Sequence, residues 1–417
     1  MADLQKDGEI AKRVLIVSQT FPPASGIGGR RWAKFAKYLM KLGFEIEVIS
    51  AKLPNTAGLS WTDDVEGVKQ YHYTHKYPEI LSQNPKSLLH KLQYRFELTR
   101  ARLKADGTPY DRALYDENAF VEILEARLKE FQPQALIITS PPVNLVFYAA
   151  KIRNRYPKVK FIADFRDPWL DGNHYGYADL RPKVREAEVA KENLVVDQFD
   201  KIVSPWSLVV NGFTERYPNS ASKFELLPHG WDSDDLMSHT KANIEVDLIY
   251  GGNLYAGFEP LLAFLARKAH EENIKIEIYA RSEVPQRILD NQGNFKVRKA
   301  IPVSDFFARI RQSKQLLMLI PERLKDGFPT KVLEFAATGK PIIAVGYAGA
   351  LSELIVQKGI GSFVAIDRLD QDFDKALKSL SKLNPDQEWI KDHELDRVTQ
   401  SFVGIMKEIN PGAVAEE

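Results

Sequence analysis

The chain of 417 residues contains no cysteine. That absence excludes disulfide scaffolds, thiolate-ligated zinc, iron–sulfur clusters and cysteine nucleophiles together. Nor is there an excess of either charge: 57 Lys and Arg stand against 56 Asp and Glu, a formal net charge of +1. A near-neutral chain lacks the sequence-independent attraction to polyphosphate on which nucleic-acid binders rely, so that class is set aside. Long apolar runs are missing as well. Nowhere do about 18 apolar residues follow one another, and no segment is expected to span a membrane. The opening MADLQKDGEIAKR is charged throughout and lacks the apolar centre of a signal peptide, so a cytoplasmic location is expected. Short-period repeats and low-complexity stretches are absent too.

What the sequence does contain is an ordinary globular composition, 44% hydrophobic and 27% charged. Its length predicts two to three domains, since single cores stop growing at about 250–300 residues. Apolar runs alternate with helical periodicity in two series. The first runs RVLIVS, a helix over RRWAKFAKYLMKLG, FEIEVIS, ALIITS, a helix from Val143 to Tyr156, VKFIAD, KIVS, and a helix near Leu208–Tyr217. The second runs VDLIYGG, a helix at Pro260–His270, IKIEIYA, a helix at Ser304–Arg311, QLLMLI, PTKVLEFAATG, PIIAV, and a helix at Ala350–Gln357. Such alternation predicts an α/β fold of two doubly wound, Rossmann-like parallel-sheet domains facing a central cleft. The junction is expected in LLPHGWDSDD, giving domains at 1–230 and 231–385. A last segment, 386–417, carries a helix over Gln387–Ile409 with no strand after it. In such sheets ligands bind outside the carboxyl ends of the strands, so loops after strands hold the candidate residues.

Three segments stand out. Gly26, Gly28 and Gly29 lie between the first strand and first helix, where glycine lets backbone approach a ligand and the helix start offers N–H groups to an anion. A nicotinamide-dinucleotide fingerprint fails there: Arg31 replaces its third glycine, and Ser50-Ala51-Lys52 ends the second strand without an acid for the ribose. A flexible turn and a phosphate- or sugar-binding loop both remain. DFRDPW (164–169) closes a buried strand. Asp164, Arg166 and Asp167 there form either a structural ion-pair network or a group set against a reacting sugar or its phosphate, with His174 nearby. In DGFPTKVLEFAATGKPIIAV (326–345), Thr330, Lys331, Glu334 and Thr338 share one helical stripe. That stripe reads either as a solvated face with a Lys331–Glu334 pair, or as a ligand grip. In the second reading, amides at 329–331 and the Lys331 ammonium hold a diphosphate, Glu334 takes ribose hydroxyls, and Asp326 binds the group beyond. The second makes use of the whole segment and is preferred.

The FPP–glycine loop–RRWAKFAKYL opening, SPPVNL (140–145), DFRDPW, the linker PHGWD and FPTKVLEFAATGKPII together resemble family 4 glycosyltransferases, of the GT-B type with two Rossmann-like domains. The resemblance runs from about Arg13 to the last helix. It implies a retaining, metal-independent hexosyltransferase, with a nucleoside-diphosphate sugar as donor substrate and no cofactor. The acid–seven residues–acid pattern of that family falls on Asp326 and Glu334, with Asp where Glu is usual. Asp326 would then contact the donor sugar near its reacting carbon and Glu334 the ribose. The backbone over Phe328, Pro329, Thr330 and Lys331 would hold the diphosphate, with Gly28 and Gly29 facing the same phosphates. Arg166 stands where the family has its cleft histidine, and Asp167 beside it is the other catalytic candidate of that turn. In the linker His229 stands where Asn is usual, and the final helix would cross back to the N-terminal domain. The loop that in the family supplies Arg and Lys is here GGNLYAGF (251–258), without a basic residue; Asn253 belongs to it. Lys331, Arg281 or Arg30 must bring the charge.

On the acceptor side the resemblance points to Arg30, Arg31, Asp164 and His174, and to a glycan or lipid-linked hydroxyl in cell-surface polysaccharide synthesis. The segment 86–104 reads either as a basic amphipathic helix for the inner membrane face or as a helix packed on its own domain. Two other functions share these features: a GT-B nucleotide-sugar epimerase, and a sugar-nucleotide-binding protein without catalysis.

Overall fold

In a computed structural model of the chain, residues 12–24, 27–53, 61–82, 85, 87–172, 177, 180–236, 243–255, 257–281 and 293–409 are described. Two compact units emerge, one of residues 1–228 with 399–417, the other of 229–398. The chain passes from the first to the second between Pro228 and His229.

Among the described residues of the first unit, seven strands form one parallel sheet. They are β1 (Arg13–Val17), β2 (Glu45–Ala51), β3 (Lys69–Tyr73), β4 (Ala135–Ser140), β5 (Lys160–Phe165), β6 (Lys201–Ser204) and β7 (Phe224–Leu226). Their order is β3-β2-β1-β4-β5-β6-β7, every pair parallel. The direction of winding reverses between β1 and β4, which makes their carboxyl ends the expected ligand position. ALIITS (β4) is buried along its whole length because helices cover both faces of the sheet.

The second unit repeats the plan with β8 (Val246–Gly252), β9 (Ile276–Ala280), β10 (Phe295–Lys299), β11 (Ser313–Ile320), β12 (Ile342–Gly346) and β13 (Gly361–Ala365). The order is β10-β9-β8-β11-β12-β13, again parallel, with the reversal between β8 and β11. The expected doubly wound α/β class is therefore present twice.

Several elements differ from the sequence pattern, the helices Glu117–Phe131 and Leu369–Ser379 among them, which it does not contain. The helix expected over Val143–Tyr156 ends at Ile152 and continues as a tighter turn, Arg153–Arg155. The stretch Gln387–Ile409 is two helices, Gln387–Asp392 and Leu395–Ile409. Between them the backbone turns aside to pair with Trp231: Trp231 N donates to His393 O at 2.9 Å, and Leu395 N donates to Trp231 O at 2.9 Å. Past residue 398 the second of these helices packs within the first unit, where Phe402 lies edge-on to Trp32 and Phe35. Finally, the helix Pro182–Gln198 has no counterpart in the pattern. It buries Glu188, Lys191 and Glu192, so no apolar stripe announces it.

Candidate functional site

In the first unit the residues after β1, β4 and β5 converge at the reversal. The helix Ile27–Lys41 starts there, with Gly28 and Gly29 in its first turn. A Cβ at Gly29 would lie 2.5 Å from the carbonyl oxygen of Thr20, so this glycine is required for the helix to approach the preceding turn. A Cβ at Gly28 would lie 2.6 Å from NH1 of Arg166. Arg166 thus crosses the start of the helix. Its Nε donates to Thr139 Oγ1 at 2.9 Å and its NH2 to Pro141 O at 2.8 Å. A guanidinium fixed over a helix N-terminus is an arrangement suited to an anion, because charge and helix dipole act in the same sense.

Asp164 lies behind it and is fully buried. It accepts from Arg31 Nε at 3.1 Å, Arg31 NH2 at 3.1 Å, Trp32 Nε1 at 2.7 Å and Thr139 Oγ1 at 3.1 Å. Arg31 also donates to Leu227 O at 2.8 Å and Pro228 O at 2.9 Å. Asp164 and Arg31, expected on the acceptor side, thus form a buried ion pair. Both are interior groups with their hydrogen bonds taken up by protein, and through Thr139 they orient Arg166. Arg30 is likewise buried, with its guanidinium 5.8 Å from the ring centre of Trp61. Lys34 and Lys37 pair with Asp64 at 2.8 and 3.2 Å, which removes much of the basic character of this helix. Asp167 is half-buried beside Arg166 in sequence. Gly26 and His174 lie outside the described residues.

Two participants were not anticipated. Thr139 joins Asp164 to Arg166, and a threonine next to the end of the apolar strand ALIITS was the available signal. Asp111 accepts from Val143 N at 2.8 Å and Asn144 N at 3.2 Å, filling the N-terminus of the helix Val143–Ile152. Burial raises its carboxyl to about 6 against the lowering effect of hydrogen bonds from the Ala113 and Asn144 amides. Nothing local in sequence marks a cap that lies 32 residues before its helix.

In the second unit, Lys331 Nζ and the Arg281 backbone N both donate to the Gly251–Gly252 end of β8, with Asn253 next in the chain and Glu334 one turn beyond Lys331. The helix Thr330–Ala337 follows β11, and Val332, Leu333, Phe335 and Ala336 are its buried face. Its first helical hydrogen bond is Val332 N to Pro329 O at 3.1 Å. Pro329 precedes the helix and has no N–H, so the amides available at 329–331 reduce to those of Thr330 and Lys331. Gly339, at φ +69°, ends the helical region as expected.

Lys331 does not lie on a solvated face. Its Nζ donates to Gly251 O at the end of β8 and sits 5.1 Å from the ring centre of Tyr250. Gly252, at φ +153°, leaves the room: a Cβ there would fall on Lys331 Nζ and within 2.9 Å of Tyr250 Oη. Desolvation lowers Lys331 to about 8; the nearby Glu334 raises it and Arg281 lowers it further. Arg281 is itself exposed, and its backbone N donates to Gly252 O at 3.1 Å. Asn253 is exposed and its carbonyl accepts from Tyr250 Oη at 2.5 Å. The segment 251–255 and 257–258 thus has no basic residue of its own, while Lys331 brings an ammonium to its start.

Asp326 and Phe328 are placed otherwise. Asp326 Oδ1 accepts from Ala350 N at 3.1 Å, at the start of the helix Ala350–Gln357. The Phe328 ring packs at 5.9 Å from His393 and 6.4 Å from Trp389.

No protein-family model and no curated protein matches the sequence. Solved structures do. A glycosyltransferase from Rickettsia africae ESF-5 superposes with a TM-score of 0.63 at 15% identity, over 97% of this chain and 100% of that one. The N-terminal domain of Candida albicans trehalose-6-phosphate phosphatase gives 0.62 at 12% identity, over 96% and 97%. UDP-GlcNAc 2-epimerase from Neisseria meningitidis, solved bound to UDP-GlcNAc, gives 0.55 at 12% identity, over 95% and 100%. The fold is GT-B. At these identities the likeness concerns architecture, and function must be argued from the site.

Proposed function

We propose that the chain is a glycosyltransferase that moves a hexosyl group from a nucleoside-diphosphate sugar to a hydroxyl of a glycan or lipid-linked acceptor, in cell-surface polysaccharide synthesis. The observation that carries this reading is the Lys331 ammonium held at the Gly251–Gly252 end of β8, next to two helix-start amides. A desolvated cation with adjoining N–H donors suits a diphosphate, whose charge grows as the sugar departs. In this reading Glu334, one turn further on, takes the ribose hydroxyls, and Asp326, whose Oδ1 accepts from Ala350 N, meets the sugar with its remaining carboxylate oxygen. That structural neighbours include a glycosyltransferase and an enzyme solved with a nucleotide sugar supports the reading.

Transfer proceeds with retention and without a metal. The acceptor oxygen bonds to the anomeric carbon as the bond from that carbon to the phosphate oxygen breaks. The acceptor proton passes to the departing phosphate oxygen on the same face. Lys331 stabilises the leaving diphosphate in the second unit, and Arg166, over Gly28, serves anionic substrate groups in the first.

Incubation with UDP-, GDP- and ADP-sugars, with and without hydroxyl acceptors, tests the proposal. Nucleoside diphosphate released only when acceptor is present supports it. Conversion of the sugar to an epimer without acceptor would identify an epimerase instead, and binding without turnover a non-catalytic binding protein.

A further inference from the structure

The helix Leu88–Lys104 begins at Ser87, whose extended backbone and side-chain oxygen, accepting from His90 N at 3.2 Å, fix its start. One side packs on its own unit. Leu98 and Ala101 are buried, and Tyr94 is half-buried, in a small cluster with Tyr77, Leu81 and Leu114. Another side is apolar and uncovered. Leu88, Leu89, Leu92, Phe96 and Leu103 are between 56% and 83% exposed, five of the eleven large apolar side chains left exposed among the described residues. At 3.6 residues per turn they fall within an arc of about 100°. Lys91, Arg95 and Arg102 border that arc on one side, Arg100 and Lys104 on the other. All five are exposed, and the one acid of the helix, Glu97, is paired with Arg100 at 3.0 Å. Lys86, which precedes the helix, lies outside the described residues.

We infer that this face docks on an anionic lipid surface. An apolar stripe between two basic borders matches the layering of a bilayer interface. Leucine and phenylalanine enter the acyl boundary while lysine and arginine stems extend back to the phosphates. The charge decides between occupants. A second copy of the same face would oppose five cations with five cations, whereas an anionic headgroup layer complements them. The helix is anchored by Leu98 and Ala101 on its far side, so the stripe meets the membrane as part of a folded unit. The inference stands apart from the reading of Lys331 and Glu334, and either can fail without the other.

The test is co-sedimentation of the full chain with phosphatidylcholine vesicles and with vesicles that include about 30% phosphatidylglycerol, an anionic surface of the kind that attracts basic segments. Partitioning at least about tenfold stronger to the anionic vesicles is expected, weakening as salt screens the borders. A Leu88→Ser/Leu92→Ser/Phe96→Ser/Leu103→Ser variant is expected to lose that binding while keeping its circular dichroism and thermal midpoint, because none of these side chains is in the core. Absence of binding to anionic vesicles overturns the inference, as does undiminished binding by the quadruple variant. So does a dimer, seen by sedimentation velocity, that the same substitutions abolish, since the stripe is then a protein interface.

Discussion

Lys331 Nζ is hydrogen-bonded to the carbonyl of Gly251, eighty residues earlier in the chain. The bond carries an ammonium from the helix after β11 to the end of β8. The two strands are neighbours at which the winding of the second sheet reverses. Burial holds this amine at about 8 in the free protein. The cation proposed to hold a diphosphate is therefore lost in the range where ordinary lysines stay charged. Donor affinity should fall above about pH 8, by up to tenfold per pH unit, and Lys331→Arg should flatten that dependence. The linked effect on folding has the opposite sense. Between about 8 and the ordinary value of 10.5 the unfolded chain holds a proton that the folded chain has released, so stability contributed at this site rises with pH through that window. Donor dissociation constants measured across pH 6.5–9.5 check the first statement; a flat profile in the wild type contradicts it.

The two glycines of the first helical turn should behave differently on substitution. At Gly28 a methyl group meets the end of the Arg166 side chain, which can swing away. Gly28→Ala is expected to keep its thermal stability and to lose transfer activity as the guanidinium leaves its place. At Gly29 the methyl group meets the Thr20 backbone, which cannot yield cheaply. Gly29→Ala should cost about 1–3 kcal/mol, the usual range for overpacking. Thermal denaturation and initial rates on both variants separate the two cases.

Asp164 is joined to Arg166 through Thr139, which donates to the one and accepts from the other. Asp164→Ala leaves the buried Arg31 guanidinium without its carboxylate. It should cost about 3–5 kcal/mol, as for other buried pairs that lose one partner. Thr139→Val removes the acceptor of Arg166 Nε at little change in shape, with an expected stability loss of about 1–2 kcal/mol. Its kcat should nevertheless drop well beyond what the folded fraction explains, with donor KM held. Equal losses of folded protein and activity would reduce Thr139 to a packing residue.

Asp326 caps a helix and is proposed to meet the donor sugar, and one pair of variants can divide the two. Its Oδ1 caps the helix Ala350–Gln357, and asparagine preserves that oxygen. Asp326→Asn should fold like the wild type yet lose at least about tenfold in kcat, the scale of a lost electrostatic contact at the reacting sugar. Asp326→Ala should in addition lose about 1 kcal/mol for the cap. Glu334→Gln is expected to raise donor KM with kcat nearly unchanged. An effect confined to acceptor KM would contradict its ribose role.

Nine of the thirteen described strands are legible as apolar runs in the sequence. The four that are not, β3, β7, β10 and β13, are the four sheet edges. KQYHY and FKVRK have half of their environment in solvent, and FEL is too short to show a period, so neither hydrophobicity nor alternation marks them. The candidate site divides along the same line. Lys331 and Glu334 are readable because they interrupt an apolar helix at fixed spacing. The partners that give them meaning, the Gly251 carbonyl and the Tyr250 ring, are distant in sequence. Asp164 illustrates the same limit: the acid at the strand end is readable, while its partners Arg31, Trp32 and Thr139 are distant in sequence.

The central claim is that the end of β8 and the start of the helix Thr330–Ala337 bind the diphosphate of a nucleotide sugar. Isothermal titration of the wild type and of Lys331→Ala with UDP-, GDP- and ADP-sugars at pH 7 tests it most directly. One nucleotide class should bind the wild type at a single site. Lys331→Ala should bind it at least about tenfold more weakly, the loss expected for a charge-assisted contact to phosphate. Equal affinity of the two proteins for that donor would contradict the account.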